Sequence, residues 1–139
     1  MKRVLIAIGI MLIAASQGFA MDSLATYTWK NRVLVLFGAE KDPKLVEQLK
    51  LLRDRTDELT DRDMVILRVS GDSVVAIHGS AAGINAAKLA AEAGVKGAGF
   101  EAVLIGKDGG IKLRSAEVVS DKDLFGLIDS MPMRRAGQS

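Results

Sequence analysis

The sequence predicts an α/β domain with element order βαβ-α-ββ-α, a central mixed four-stranded sheet covered by helices. Three observations carry this. Two continuous apolar runs, RVLVLFG at residues 32–38 and MVILRV at 64–69, flank a long amphipathic stretch. An Asp-Gly turn at Asp108 joins two further short apolar runs. A capped amphipathic segment that starts at Ser120 closes the chain.

Residues 1–20 stand apart from this domain. Lys2 and Arg3 make a basic start, residues 4–15 are all apolar or glycine, and Gly18-Phe19-Ala20 sets small residues before a cut after Ala20. That is the layout of a secretory signal peptide. A membrane anchor needs about 20 apolar residues, and Gln17 interrupts the run here. The mature chain is therefore expected to be periplasmic or secreted, with no membrane span after cleavage. Its domain is expected over residues 21–135, fraying from residue 134 into a flexible tail at 136–139.

Composition removes whole classes of chemistry. The 139 residues include no cysteine and one histidine. Thiol catalysis, thiolate metal sites, disulfides and lipid attachment through cysteine are excluded, as is any site that needs two imidazoles. The formal charge of +2 resides in the leader, because without Lys2 and Arg3 the chain carries 17 Lys+Arg against 17 Asp+Glu. That balance argues against nucleic acid or an anionic membrane as the main partner. No metal or cofactor is expected. A chain of this length supports one domain and buries enough surface to fold without staples.

Each element has its own signal. The run at 32–38 suits a strand covered on both faces. Asp42 reads as a helix N-cap with Pro43 at the first helical position. Leu45, Leu49, Leu52 and Leu59 recur along one face of a single long helix. The second strand at 64–69 then makes a parallel, right-handed βαβ unit. Residues 73–78 carry no decisive period. Ser80 is expected to cap a second helix running through Ala93, with Asn85, Lys88 and Glu92 as its polar stripe, and Gly94, Gly97 and Gly99 end it. Residues 100–105 and 111–114 read as strands joined by Gly106-Lys107-Asp108-Gly109-Gly110, a strong hairpin signal. Ser120 caps the last helix, with Asp123 at capping-box spacing and Leu124, Leu127, Ile128 and Met131 turned inward.

This order of elements is that of the thioredoxin fold. In that fold, redox chemistry sits where the first strand meets the first helix, here Gly38-Ala39-Glu40-Lys41-Asp42-Pro43, which holds no thiol. The proline usual before the third strand is replaced by Gly99-Phe100. Trp29-Lys30-Asn31-Arg32-Val33-Leu34, the hairpin Leu104-Ile105-Gly106-Lys107-Asp108-Gly109-Gly110-Ile111-Lys112, and Ile128-Asp129-Ser130-Met131-Pro132-Met133-Arg134-Arg135 resemble three blocks of the bacterial family called domain of unknown function 4174. The resemblance runs over roughly residues 24–135. It implies a thioredoxin-like fold in exported proteins with no established activity. Related domains in animal extracellular-matrix proteins favour adhesion or binding; the partner is left unknown, an envelope or extracellular protein being one candidate.

Several residues carry more than one reading. Lys107, Asp108 and Lys112 form either a charged rim for a carboxylate or phosphate, or simply a turn with soluble strand ends. Arg134 and Arg135 either clamp together with Arg32 or are solvated cations at a helix C-terminus. Trp29 and Tyr27 make either an exposed aromatic anchor or a lid over the sheet edge. Asp54, Glu58 and Asp61 share a helical stripe that suits a hard cation, although Arg53, Arg55 and Arg62 interleave with them as ion-pair partners. The letters of a dinucleotide motif at residues 97–102 leave a helix and open a strand, the reverse of what that motif needs. Residues 79–83 lack the lysine of a phosphate loop. No strand-turn-helix elbow presents a serine to His78. The balance favours an exported, non-catalytic binding module whose speculative binding residues are Trp29, Arg32, Lys107, Asp108, Lys112 and Arg134. The alternative is an enzyme using Lys, Arg and Asp near the hairpin and C-terminus.

Overall fold

The computed structural model describes residues 21–81 and 83–137. The leader expected over residues 1–20 and the end of the tail lie outside them. A 3₁₀ turn, Asp22–Tyr27, leads into β1 (Arg32–Phe37), α1 (Pro43–Leu52), α2 (Thr56–Asp61), β2 (Met64–Ser70) and β3 (Ser73–His78). Then follow α3 (Ala86–Ala93), β4 (Glu101–Ile105), β5 (Ile111–Ser115), α4 (Asp121–Asp129) and α5 (Pro132–Arg135). The sheet has five strands in the order β3-β2-β1-β4-β5. Only β1 and β2 run parallel, so the sheet is mixed.

Central β1 is buried at every position, as its unbroken apolar run requires. Val33, Val35 and Phe37 join Leu24, Tyr27, Leu89 and Val103 in a core beneath the 3₁₀ turn and α3. Leu34 and Leu36 face the other way, into a core with Leu45, Leu59, Leu104, Leu124 and Ile128 under α1, α2 and α4. Helix starts follow their caps. Asp42 Oδ1 accepts the Lys44 N–H at 2.8 Å, and Ser120 Oγ accepts that of Asp123 at 3.0 Å.

Four expectations need correction. The sheet has a fifth strand, because residues 73–78 form an edge strand against β2. Its sequence hid this by placing apolar residues on both faces, Val74 and Ala76 half-buried and Val75 and Ile77 exposed. The single long helix is two, since nothing between Leu52 and Leu59 is buried to hold a continuous helix on the sheet. The cap of α3 is Asn85, whose side chain accepts the Lys88 N–H at 2.8 Å. Ser80 does not cap it: Gly83 turns the chain through positive φ between them, and the Ser80 carbonyl accepts the Tyr27 hydroxyl at 2.6 Å. The chain does not fray at residue 134, because Pro132 starts α5 and Arg134 is tied to Asp61 and Asp129. Among the described residues, no helix is long and apolar enough to cross a membrane.

Candidate functional site

At the start of β1 the chain makes an unusual turn. Trp29 sits at φ 67°, in the left-handed region that bulky residues rarely occupy. Its N–H donates to the Lys107 carbonyl at 2.6 Å, which docks this turn on the tip of the β4–β5 hairpin. The two flanking aromatics part company. Tyr27 is buried in the core, whereas Trp29 is 65% exposed. Tyr27 packs with the central strand rather than over a sheet edge, and Trp29 is left in solvent.

Register brings the hairpin tip to the same place. Val33 lies opposite Ile105 across the β1–β4 ladder, so residues 106–110 project beside residues 29–32. The turn is built from its own side chain, with Asp108 Oδ1 accepting the Gly110 N–H at 2.9 Å while Oδ2 pairs with Lys112 Nζ at 3.0 Å. Burial works against the charged Asp108, but the Gly110 N–H and Lys112 outweigh it and hold this carboxyl below its ordinary value. A Cβ at Gly106 would come within 2.6 Å of Lys112 Cε, so the bare backbone there is what lets the lysine lie across the turn.

Trp29, Arg32, Gly106, Lys107, Asp108 and Lys112 line one recess of about 320 Å³ together with Met131, Pro132 and Met133. Arg32 is only 1% exposed and Lys107 7%. Arg32 Nη1 donates to the Arg62 carbonyl at 2.9 Å. Burial, reinforced by nearby Arg134 and opposed by Asp63 and Asp129, pushes its guanidinium below the ordinary value. Lys107 Nζ pairs with Asp63 Oδ2 at 2.8 Å. Next in the chain after Met133 stands an ion-pair network. Arg134 pairs with Asp61 and with Asp129, the latter at 3.2 Å, and Asp129 also takes a two-point bond from Arg62 at 2.9 and 3.0 Å.

Five of the six residues singled out from the sequence thus share one cavity. Arg134 does not line it, though it is close enough to influence Arg32, and is committed to two carboxylates. Arg135 is exposed. The missed contributors are Gly106, the residue 131–133 wall and Asp63, which left no mark in sequence spacing. Of the acidic stripe, Asp61 pairs with Arg134 rather than with an interleaved arginine, and Arg55 and Arg62 reach instead to Asp121 at 2.7 Å and Asp129 at 2.9 Å. Among the described residues, no group of three or more His, Asp or Glu is placed to hold a metal.

The recess lies at the Arg32 end of β1. The opposite end, where β1 meets α1, presents the Asp42 cap instead of a nucleophile. A second hollow of about 210 Å³ lies beside Leu49, Leu59, Ile77 and His78. Its polar contact is His78 Nε2 with Thr60 Oγ1 at 3.3 Å.

A protein-family model described as a domain of unknown function (DUF4174) matches residues 23–137, nearly all of the described chain. No curated protein matches the sequence.

Proposed function

The chain belongs to that DUF4174 family, and from this premise we propose that it is an exported, non-catalytic binding module on a thioredoxin-like scaffold, taking its ligand in the recess beside Trp29. The observation that carries this reading is the convergence of an exposed tryptophan, three methionine-proline positions and three cations on one cavity of about 320 Å³. That volume and mixture of apolar wall and few polar groups are typical of small-ligand sites.

The backbone at Trp29 supports it. Holding a non-glycine residue in the left-handed region costs about 1–2 kcal/mol, and an exposed side chain returns little of that through packing. Such strain is common where a side chain serves a ligand. Non-catalytic use is supported by the state of the charged groups: Lys107 and Lys112 are each held by a carboxylate, an arrangement suited to fixing charge rather than moving protons. The thioredoxin-like reading draws on the order β2-β1-β4-β5 with β1 and β2 parallel, to which β3 adds an edge. Export draws on the leader pattern of residues 1–20.

The sequence has a single tryptophan, so its fluorescence reports on this recess alone. The test is titration of the purified chain with a panel of neutral, cationic and anionic small organic compounds. A saturable change in emission that Lys112→Glu alters is the expected result. A flat response to every class, with calorimetry equally silent, sinks the reading.

A further inference from the structure

We propose that β3 is an interface between two copies of this chain. Its outer edge pairs antiparallel with the β3 edge of a second molecule and continues the five-stranded sheet across a two-fold axis. The surface is separate from the recess, and the proposal does not depend on the binding reading above.

The two ends of the sheet differ in kind. In the order β3-β2-β1-β4-β5, the end strands are β3 and β5. An end strand turns alternate N–H and C=O groups outward with no strand to take them, and charged side chains or proline ordinarily keep it from further pairing. The β5 strand, Ile111–Ser115, has that protection: Lys112 and Arg114 stand in it, paired with Asp108 and Glu101. The β3 strand, Ser73–His78, reads SVVAIH and holds no lysine, arginine, carboxylate or proline. Past Ser73, apolar residues take its exposed positions. Val75 is 37% and Ile77 40% exposed, two of the four large apolar side chains left in solvent among the described residues.

The occupant follows from the strand's own symmetry. Residues 73–76 are its regular part, ahead of the bulge beside Ile66 and Leu67. An antiparallel pair centred on Val75 sets Val74 of one copy opposite Ala76 of the other, so that the outward backbone groups meet. The two Val75 side chains then lie on the same face of the sheet within cross-strand contact distance. The strand ends are complementary as well. Exposed Asp72 of each copy comes alongside His78 of the other, whose Nε2 contacts Thr60 Oγ1 and leaves the second ring nitrogen for the carboxylate. A foreign strand would gain the same backbone bonds but is not selected by this two-fold match.

The chain has no cysteine, so a single introduced thiol reports on proximity alone. Val75→Cys is expected to oxidise to a covalent dimer at least tenfold faster than Glu117→Cys, an exposed position in the loop after β5. Sedimentation of the purified chain is expected to show a reversible dimer in the micromolar range or weaker, because a single strand-to-strand ladder is a small interface. Val75→Lys sets like charges against each other at the two-fold axis and is expected to weaken that dimer at least tenfold, with an unchanged circular dichroism spectrum. The cross-link keeps the test open should Val75→Lys unfold the chain. A chain that stays monomeric up to about 0.5 mM overturns the proposal, whether or not it captures a foreign strand. So does a dimer that survives Val75→Lys, or one that cross-links no faster through residue 75 than through residue 117.

Discussion

The Lys107 ammonium lies 2.8 Å from Asp63 Oδ2, while the carbonyl of the same lysine accepts the Trp29 N–H. One residue thereby braces Trp29 and Asp63, the two non-glycine residues held at positive φ among those described. Asp63 also offers its own carbonyl to the N–H of Arg32 at 3.0 Å. The recess is anchored to the start of β1 and of β2 through this single pair.

Removing the Asp63 carboxylate takes a counter-ion 2.8 Å away from the buried Lys107 ammonium. Asp63→Asn keeps a residue that tolerates the left-handed region and is expected to cost about 1–2 kcal/mol. Asp63→Ala loses that tolerance as well and should cost about 3 kcal/mol. Urea denaturation of the two variants checks the order; equal losses would show that the backbone conformation contributes nothing.

Trp29→Gly separates stability from function. Glycine takes φ 67° without strain, and the exposed indole has little packing to lose. The expected outcome is unchanged or higher stability, by up to about 1 kcal/mol, with ligand binding lost. A clear drop in thermal midpoint would mean that the indole packs on the recess wall in the resting protein.

Gly106→Ala should leave the fold standing and spoil the site. The new methyl group meets Lys112 Cε at 2.6 Å and Cγ at 3.3 Å, and the lysine is free to swing away. We expect a stability change within about 1 kcal/mol and at least tenfold weaker binding of whichever compound the recess takes, measured by calorimetry. Retained affinity would remove Lys112 from the site.

Gln48 is fully buried and bonds Val119 in both directions, donating to its carbonyl at 2.9 Å and accepting its N–H at 2.8 Å. Gln48→Ala leaves both backbone groups short of a partner and should cost about 2–3 kcal/mol. Gln48→Glu keeps the acceptor but loses the donor and buries a charge. Its deficit is expected to shrink as pH falls towards 4, when the protonated acid again donates to Val119. A pH-independent deficit contradicts this account.

Acid weakens the fold through depressed carboxyls. At Asp108, burial opposes ionisation but the Gly110 N–H and Lys112 prevail; at Asp129 the Arg62 hydrogen bond leads; at Asp121 the Arg55 hydrogen bond leads. All three titrate lower in the folded chain than the ordinary value of 3.8. Their contribution is complete above the unfolded value, near pH 4, and disappears as pH falls through the lower folded values. Denaturation midpoints should be level from pH 7 to 5 and decline below 4. In Asp129→Asn that acid decline should be shallower; an identical slope would exclude Asp129 as a source.

Much of the site was legible because its residues are of uncommon type. A lone tryptophan before a strand, lysines around an Asp-Gly turn and an arginine opening a buried run could be named without coordinates. What could not be read was their meeting. Arg134 was nominated for the recess and does not line it, since Asp61 and Asp129 claim its guanidinium. Asp63 and Gly106 contribute by position rather than by type.

Local physics is what the sequence by itself determined. Caps at Asp42 and Ser120, the turn at Asp108, the doubly buried β1 and the lack of any thiol chemistry each depend on a few neighbouring residues. Tertiary structure decided what those rules do not reach. It set β3 on an exposed edge, split the long helix where nothing was buried between Leu52 and Leu59, and sent Tyr27 into the core while leaving Trp29 outside. It also gathered residues 29, 107 and 131 around one cavity. The reason is the range of the forces: capping and periodicity act within a turn or two, whereas that cavity exists only once the β1–β4 register and the packing of α4 and α5 are in place.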